Sequence, residues 1–431
     1  MRRAMLPGAV RTPTPNDAMK ILDTGHLLLP GLTAIAFAYA AQAGSPSLSA
    51  DAYDALSHVS VVYVDDGLGN LTKTVRFEGV NVQIVNGLGA TDSVNGLGNL
   101  IVGYNEFRSG TNDRTGSHNL VGGRKSNFSS FGGLVVGSAN SIEAPYAVVS
   151  AGEANTASGY ASSAHGGFSN EALGGHTSVT GDNNQAQGQF SSIAGGRQNA
   201  ATGKNGFVGG GNGNDAAEYA AAVLGGFDNT ASGQMSAVLG GSGNQAMASW
   251  SSVAGGAKNV ASGVTAAVLG GKDNIASGDK STVVGGYLNT AFGFLSTALA
   301  GEQNVAMGLS STTLGGIANE VNGDYAAVVA GKYNTADGPH ACVVGGFTNL
   351  ATGKNSVVLG GKYESATSGA AVAGCPCGGS SSTTGTPPPP PPAPPLPPVG
   401  PLTPDLGDTD GADTIQELHS HDDFLGGLGG L

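Results

Sequence analysis

The residues best suited to metal binding or thiol chemistry lie near the carboxyl end of the chain. The three cysteines are Cys342, Cys375 and Cys377. Cys375 and Cys377 are too close in sequence for a zinc pair, and no partner ligands accompany them. They therefore form either an intermolecular disulfide after export or an unstructured junction. His419 and His421 precede two aspartates, so they either chelate a metal weakly or are simply solvated.

No recognised catalytic or cofactor motif occurs. The sequence has no dinucleotide fingerprint before a helix, no phosphate-binding loop and no Gly-x-Ser-x-Gly elbow. Residues 209–215 (GGGNGND) resemble one calcium-binding Gly-Gly-x-Gly-x-Asp unit, but Asn replaces Asp at the equivalent positions elsewhere. We therefore predict no catalytic, metal-binding or cofactor-binding residues, no cofactor and no enzymatic activity.

Composition limits the possible partners and folds. The 431 residues include 74 Gly, only 6% are aromatic, and the net charge is -13. This charge argues against binding to nucleic acid or to anionic lipid. With 39% apolar residues the chain is too hydrophobic for a disordered protein. Abundant Gly together with Val and Ala favours a repetitive β architecture.

The two ends differ from the middle of the chain. Residues 1–43 have the charge, apolar run and small-residue cleavage site (near Ala43) of an export signal. Residues 44–119 are predicted to form a helix, a hairpin cap and irregular first coils. Residues 375–431 form a Cys/Gly/Ser, proline-rich and acidic tail, predicted to be disordered. Its proline run, 387–398, is a stiff spacer or a ligand for an aromatic groove.

Residues 120–374 carry an internal repeat with a period of about 15 residues. Sixteen units of the form Ser-x-Val-Leu-Gly-Gly-x-x-Asn-x-Ala-x-Gly occur between 134 and 369. Each unit can hold two short strands and two turns, so that equivalent residues stack along the chain. The predicted core ladder is Val223, Val238, Val253, Val268, Val283, Val328, Val343 and Val358. The predicted structural Asn ladder is Asn199, Asn214, Asn229, Asn244, Asn259, Asn274, Asn289, Asn304, Asn319, Asn334 and Asn349.

The residue that follows each core Val is also apolar in the later units. Adjacent residues of a strand point to opposite faces, so this strand is apolar on both sides and requires a partner outside the coil. The predicted oligomer face is Leu224, Leu239, Leu269, Val284, Leu299, Leu314, Val329, Val344 and Leu359.

These units resemble the head repeats of trimeric autotransporter adhesins, the YadA-like heads. The resemblance rests on segments such as 251–256 (SSVAGG) and 274–278 (NIASG), and it covers 134–369. It implies a left-handed parallel β-roll, a homotrimer and adhesion to a host matrix or other surface. The repeats of typical family heads are one residue shorter than these units. The family's heptad stalk and intrinsic transmembrane anchor are not seen.

We therefore predict an all-β protein: a left-handed parallel β-roll or β-solenoid of about 16 coils, as a homotrimer. The predicted function is that of a secreted or cell-surface adhesin with an unknown surface or matrix ligand. A structural fibre or spacer is one alternative. Another is ice binding, because Asn-x-Ala-x-Gly resembles the Asn-x-Val-x-Gly repeats of grass ice-binding β-rolls. A regular outward column of Thr or Ser is missing, as the pairs Gln245/Met247 and Val260/Ser262 show.

Overall fold

A helix and a hairpin precede the repeats. The computed structural model describes residues 49–367, 369 and 371–373. The predicted export signal and the proline-rich tail lie outside these residues. Helix α1 spans Ala50–Ser57, and its N-cap Ser49 accepts a hydrogen bond from the Ala52 N–H at 3.2 Å. Strands β1 (Val59–Asp65) and β2 (Leu71–Phe77) pair antiparallel.

The predicted hairpin forms, but another segment covers the first coil. Both faces of the β1–β2 hairpin are largely exposed to solvent. Contacts to the first coil come instead from the segment 86–99. The Asn86 N–H donates to His118 Nε2 at 3.1 Å, and the Asn95 N–H donates to Ser117 Oγ at 3.0 Å.

The repeats fold into a parallel β-solenoid with two short strands in each coil. The first strand of each coil pairs with the first strand of the next, which builds one parallel sheet, the valine sheet. The second strands build another, the alanine sheet. This confirms the predicted all-β solenoid, with about 17 coils among the described residues.

The strands alternate regularly between the two sheets. The valine sheet contains β3 (Leu100–Val102), β4 (Leu120–Arg124), β6 (Leu134–Ser138), β8 (Val148–Val149), β10 (Ser163–Ala164), β12 (Ser178–Val179), β14 (Ser192–Ile193), β16 (Phe207–Val208), β18 (Ala222–Val223), β20 (Ala237–Val238), β22 (Ser252–Val253), β24 (Ala267–Val268), β26 (Thr282–Val283), β28 (Thr297–Ala298), β30 (Thr312–Thr313), β32 (Ala327–Val328), β34 (Cys342–Val343), β36 (Val357–Gly360) and β38 (Ala371–Ala373). The alanine sheet contains β5 (Asn127–Phe128), β7 (Ser141–Ile142), β9 (Thr156–Ala157), β11 (Glu171–Ala172), β13 (Gln185–Ala186), β15 (Ala200–Ala201), β17 (Asp215–Ala216), β19 (Thr230–Ala231), β21 (Gln245–Ala246), β23 (Val260–Ala261), β25 (Ile275–Ala276), β27 (Thr290–Ala291), β29 (Val305–Ala306), β31 (Glu320–Val321), β33 (Thr335–Ala336), β35 (Leu350–Ala351) and β37 (Ser365–Ala366).

Most coils have the same length, and a few are one residue shorter. Strand pairing places Val253 beside Val268, which is the usual step along the valine sheet. The step from Val179 to Ile193 is shorter by one. The same short step joins Val121 to Val135, Val135 to Val149, and Val358 to Val372. The solenoid therefore accommodates coils of both lengths.

The interior of the solenoid is one or two side chains wide. Val253 and Ala261 of one coil are both fully buried, and each stacks on its counterpart in the next coil. Backbone hydrogen bonds link the coils, such as Val260 N–H to Asn274 O at 2.8 Å. At the N-terminal end larger side chains, Phe128 and Ile142, occupy the alanine position and are also buried.

Candidate functional site

The predicted core ladder lies inside the solenoid. All eight of its valines have an exposed fraction of 1% or less. They are held there because alternate residues of each strand point inward and outward. These residues pack the coil and are not accessible to a ligand.

The predicted Asn ladder also lies inside, at the turn that joins each valine-sheet strand to the next alanine-sheet strand. We call this turn the Asn corner; in the coil of Val253 it comprises residues 255–259. The Asn259 N–H donates to Asn244 Oδ1 at 2.9 Å, and Asn259 Oδ1 accepts from the Asn274 N–H at 3.0 Å. Asn259 Nδ2 also donates to the carbonyl oxygens of Gly255 and Gly271. The amide groups are therefore saturated and serve the fold.

The two glycines of each Asn corner have different roles. Gly256 has φ +86°, and a Cβ there would collide with the carbonyl oxygen of Gly271. A Cβ on Gly255 would meet open space, and Ala300 and Ala330 stand at the equivalent position. Only the second glycine of the corner is therefore required, because it has positive φ and lies close to the backbone of the next coil.

The predicted oligomer face lies on the outer face of the valine sheet, where seven of its nine residues are exposed and Leu299 and Val329 are half-buried. Leu224, Leu239, Leu269 and Leu359 each have an exposed fraction of 50–52%. The positions before and after each core residue of this sheet, from Leu134 to Ala373, contain no Asp, Glu, Lys or Arg. Over ten coils, from 224 to 359, the result is an uncharged and largely apolar strip.

The outer face of the alanine sheet has a different character. Its side chains change from coil to coil and include the acidic residues Glu171, Asp215 and Glu320. Burial raises the pKa of the Asp215 carboxyl, and its Oδ1 atom is buried without a hydrogen-bond partner among the described residues. Asp215 is the last residue of the segment 209–215, which resembles a calcium motif. Asn214 of this segment belongs to the buried Asn ladder. No group of three or more His, Cys, Asp or Glu side chains comes together within the described residues.

A row of aromatic side chains runs along the opposite turn, a feature that the sequence prediction missed. This turn joins each alanine-sheet strand to the next valine-sheet strand, and we call it the Gly corner. Five rings from successive coils contact one another there, with centroids 5.1–5.7 Å apart. They belong to Phe131, Tyr146, Tyr160, His176 and Phe190. Aligning the repeat units would have revealed the clustering, because these residues occupy two adjacent positions of the unit.

A second aromatic cluster lies at the Asn corner near the last coils. The Tyr333, Phe347 and Tyr363 rings are in edge contact, with centroids 5.8 and 5.9 Å apart. The ammonium groups of Lys332 and Lys362 lie 4.9 Å from the centroids of the Tyr333 and Tyr363 rings. Both corners therefore present aromatic side chains to solvent.

The remaining candidate residues fall in two groups. Cys342 is a free cysteine on the outer face of the valine sheet, and partial burial raises the pKa of its thiol. Cys375, Cys377, His419 and His421 lie outside the described residues.

Within the described part of the chain, no helix has the length and apolar character needed to cross a membrane.

Part of the repeat region is similar to a known protein family. No protein with a curated description matches the chain. Residues 261–360 match the model of a family described as the grass antifreeze beta roll. The match covers about a quarter of the chain, within the later coils. Over that segment, the parallel β-solenoid is therefore similar in sequence to an antifreeze β-roll.

Proposed function

We propose that the chain is exported and that its solenoid acts at the cell surface as the head of a homotrimeric adhesin. The observation that carries this proposal is the uncharged strip on the outer face of the valine sheet. Soluble monomers rarely expose long contiguous apolar surfaces, and interface cores are depleted of charged residues. Nine steps of about 4.8 Å make this strip about 43 Å long.

The N-terminal hairpin gives independent support for association. An isolated two-stranded hairpin is only marginally stable in water. Tyr63, Leu71, Val75 and Phe77 of this hairpin are nevertheless each more than half exposed. Packing against neighbouring chains would cover these side chains as well as the strip.

The surfaces that remain outside such a trimer are suited to contact with other molecules. They are the outer face of the alanine sheet and the corners, where side chains vary between coils. Exposed aromatic residues, which often dominate binding energy at interfaces, are concentrated at the corners. The resemblance of the repeats to YadA-like heads supports adhesion over a passive role. We propose binding without catalysis, because the sequence contains none of the recognised catalytic motifs.

Attachment of intact cells tests this proposal. Bacteria that express the full chain are compared with bacteria that express a chain lacking 134–369, on glass and on collagen. Protease treatment of intact cells reports whether the protein is on the surface. We expect attachment to require 134–369. Undiminished attachment of the deletion strain, with both proteins on the surface, would contradict adhesion and favour the spacer alternative.

Ice binding is the second candidate, and the match of 261–360 to an antifreeze β-roll favours it. Ice binding requires a flat and regular outward array, and Thr282, Thr297 and Thr312 form a short column of this kind on the valine sheet. The same face cannot contact ice while it is covered by other chains. Thermal hysteresis of the purified chain, lost in Thr297→Lys, would support ice binding and count against the covered face.

A further inference from the structure

A shallow polar groove crosses three successive coils at the Asn corner. Its volume is about 390 Å³. The buried amides of Asn184 and Asn199 form its floor, and the side chains around them are all polar except one alanine. These surrounding residues are Ser169, Glu171, Asn183, Gln185, Gln198 and Ala200.

The groove is centred on a coil that is one residue shorter than its neighbours. The valine-sheet step from Val179 to Ile193 is the short one, as is the corner step from Phe168 to Asp182. The next corner step, from Asp182 to Arg197, returns to the usual length. The missing residue therefore belongs to the Asn corner of the middle coil, between 179 and 182. We attribute the depression to this shortened corner, which lies between two corners of full length.

The polar groups of the groove offer both donors and acceptors. Gln185 Nε2 donates to the Glu171 carboxylate, and Gln185 Oε1 accepts from Gln187, so the position of this amide is fixed. The amide of Asn183, the amide of Gln198 and the Ser169 hydroxyl provide further donors and acceptors. Such a set matches a ligand that carries several adjacent hydroxyl groups.

Charge and shape disfavour other classes of ligand. Glu171 would repel an anion, and Arg197, which precedes Gln198 of the groove, is paired with Asp182 at 3.5 Å (Nε to Oδ2). An apolar side chain would find only Ala200 to pack against.

We propose that this groove binds a neutral saccharide unit, with Glu171, Asn183, Gln185 and Gln198 as its hydrogen-bonding side chains. This inference rests on the proposed adhesive function and names the chemical class of the target. Pockets that bind small ligands are concave and usually combine an apolar lining with a few convergent polar groups. This groove has the concave shape and the convergent polar groups, and its polar lining suits a ligand that carries many hydroxyl groups.

The repeat provides variants with matched controls. Gln185→Ala/Gln198→Ala removes two amides from the groove, and Ala already occupies both positions of the unit elsewhere, at Ala200 and Ala318. The control Gln245→Ala/Gln303→Ala makes the same changes at the same positions of other coils. Both pairs remove surface amides only, so both variants should fold.

Saturation-transfer NMR on the full chain tests the proposal. The neutral probes are lactose, maltose, cellobiose and diacetylchitobiose, and the anionic probe is sialyllactose. We expect a signal from at least one neutral disaccharide, a tenfold or greater weakening in the groove variant, and no change in the control. No signal from any neutral probe, a stronger signal from sialyllactose, equal weakening in both variants, or loss of the signal with EDTA would each overturn the proposal.

The attachment assay separates this inference from the proposed function. If the wild-type chain gives no saccharide signal but cells still attach through 134–369, the saccharide inference fails and adhesion stands. If the groove binds saccharide but attachment does not depend on 134–369, adhesion fails and saccharide binding stands.

Discussion

A single buried asparagine links three successive coils. Asn259 receives a hydrogen bond from the Asn274 N–H, donates its own N–H to Asn244, and donates its amide to the carbonyls of Gly255 and Gly271. The bonds to Asn244 and Asn274 are buried and those to the two carbonyls are partly buried, so a missing partner leaves polar groups unsatisfied where water has little access. This position therefore requires Asn, because the Asn amide group supplies both the donors and the acceptor that these hydrogen bonds need.

Asn259→Ala should therefore destabilise the solenoid strongly. It leaves the Asn274 N–H and two carbonyl groups with fewer partners, at a cost of about 3–5 kcal/mol. Denaturant unfolding monitored by circular dichroism measures the loss, and hydrogen exchange locates it in neighbouring coils. The control is Asn205→Ala, at an exposed corner position where Ala161 and Ala220 occur with similar positive φ. A comparable loss in the control would contradict the structural role of the ladder.

Asp215 is a partly buried carboxylate with one oxygen that has no hydrogen-bond partner among the described residues. Desolvation raises its pKa, so the folded state holds the proton more tightly than the unfolded state does. The resulting loss in the free energy of unfolding is present above the pKa of the folded state. It is absent below the pKa of the unfolded state, which is about 3.9. Asp215→Asn should therefore increase the free energy of unfolding at pH 7 and leave it nearly unchanged below pH 3. Denaturant titrations at both pH values measure this, with the exposed Asp228→Asn as control; a gain independent of pH would rule out desolvation as the cause.

At the scale of the element, the Asn corner determines whether coils can stack. The second glycine of the corner, Gly256, has positive φ and lies against the backbone of the next coil, whereas Gly255 faces open space. Two neighbouring glycines of one corner are thus under different steric constraints, because a Cβ is excluded at Gly256 and tolerated at Gly255.

Substituting each glycine in turn tests this difference. Gly256→Ala should cost several kcal/mol, because both the left-handed backbone and the carbonyl of Gly271 oppose a Cβ. Gly255→Ala should change stability by about 1 kcal/mol or less and should favour the folded state, since it restricts the unfolded chain. Thermal and denaturant unfolding of the two variants give the comparison. Similar stabilities would show that the corner can relax around a side chain at either position.

The elements also show which features were predictable from sequence. The columns that Val253, Asn259 and Ala261 represent are predictable, because one chain contains many copies of the same unit and each copy repeats the same constraint. Phe128 and the groove beside Gln185 are not, because they arise where a coil departs from the common unit. The different constraints on Gly255 and Gly256 are not predictable either, because the sequence alone does not separate a tight position from an open one.

At the scale of the whole molecule, the proposed trimer depends on one outer face of the solenoid. From Leu134 to Leu359 the outer face of the valine sheet carries no Asp, Glu, Lys or Arg, while the outer face of the alanine sheet carries Glu171, Asp215 and Glu320. Both faces have the same backbone and the same regular spacing. The difference between them therefore lies in their outward side chains, and water is a poor partner for the leucine-rich face.

Lysine substitutions on the two faces provide the test. Leu269→Lys/Leu314→Lys places two charges within the apolar strip, whereas Val260→Lys/Val305→Lys places the same charges on the alanine sheet. The full chain should have the molar mass of three chains by light scattering, and the first variant should have the mass of one. The second variant should remain a trimer, and circular dichroism should show intact coils in both, because all four side chains point outward. If the wild-type chain is a monomer, the trimer proposal fails. If the alanine-sheet variant dissociates, the interface lies on the outer face of the alanine sheet instead.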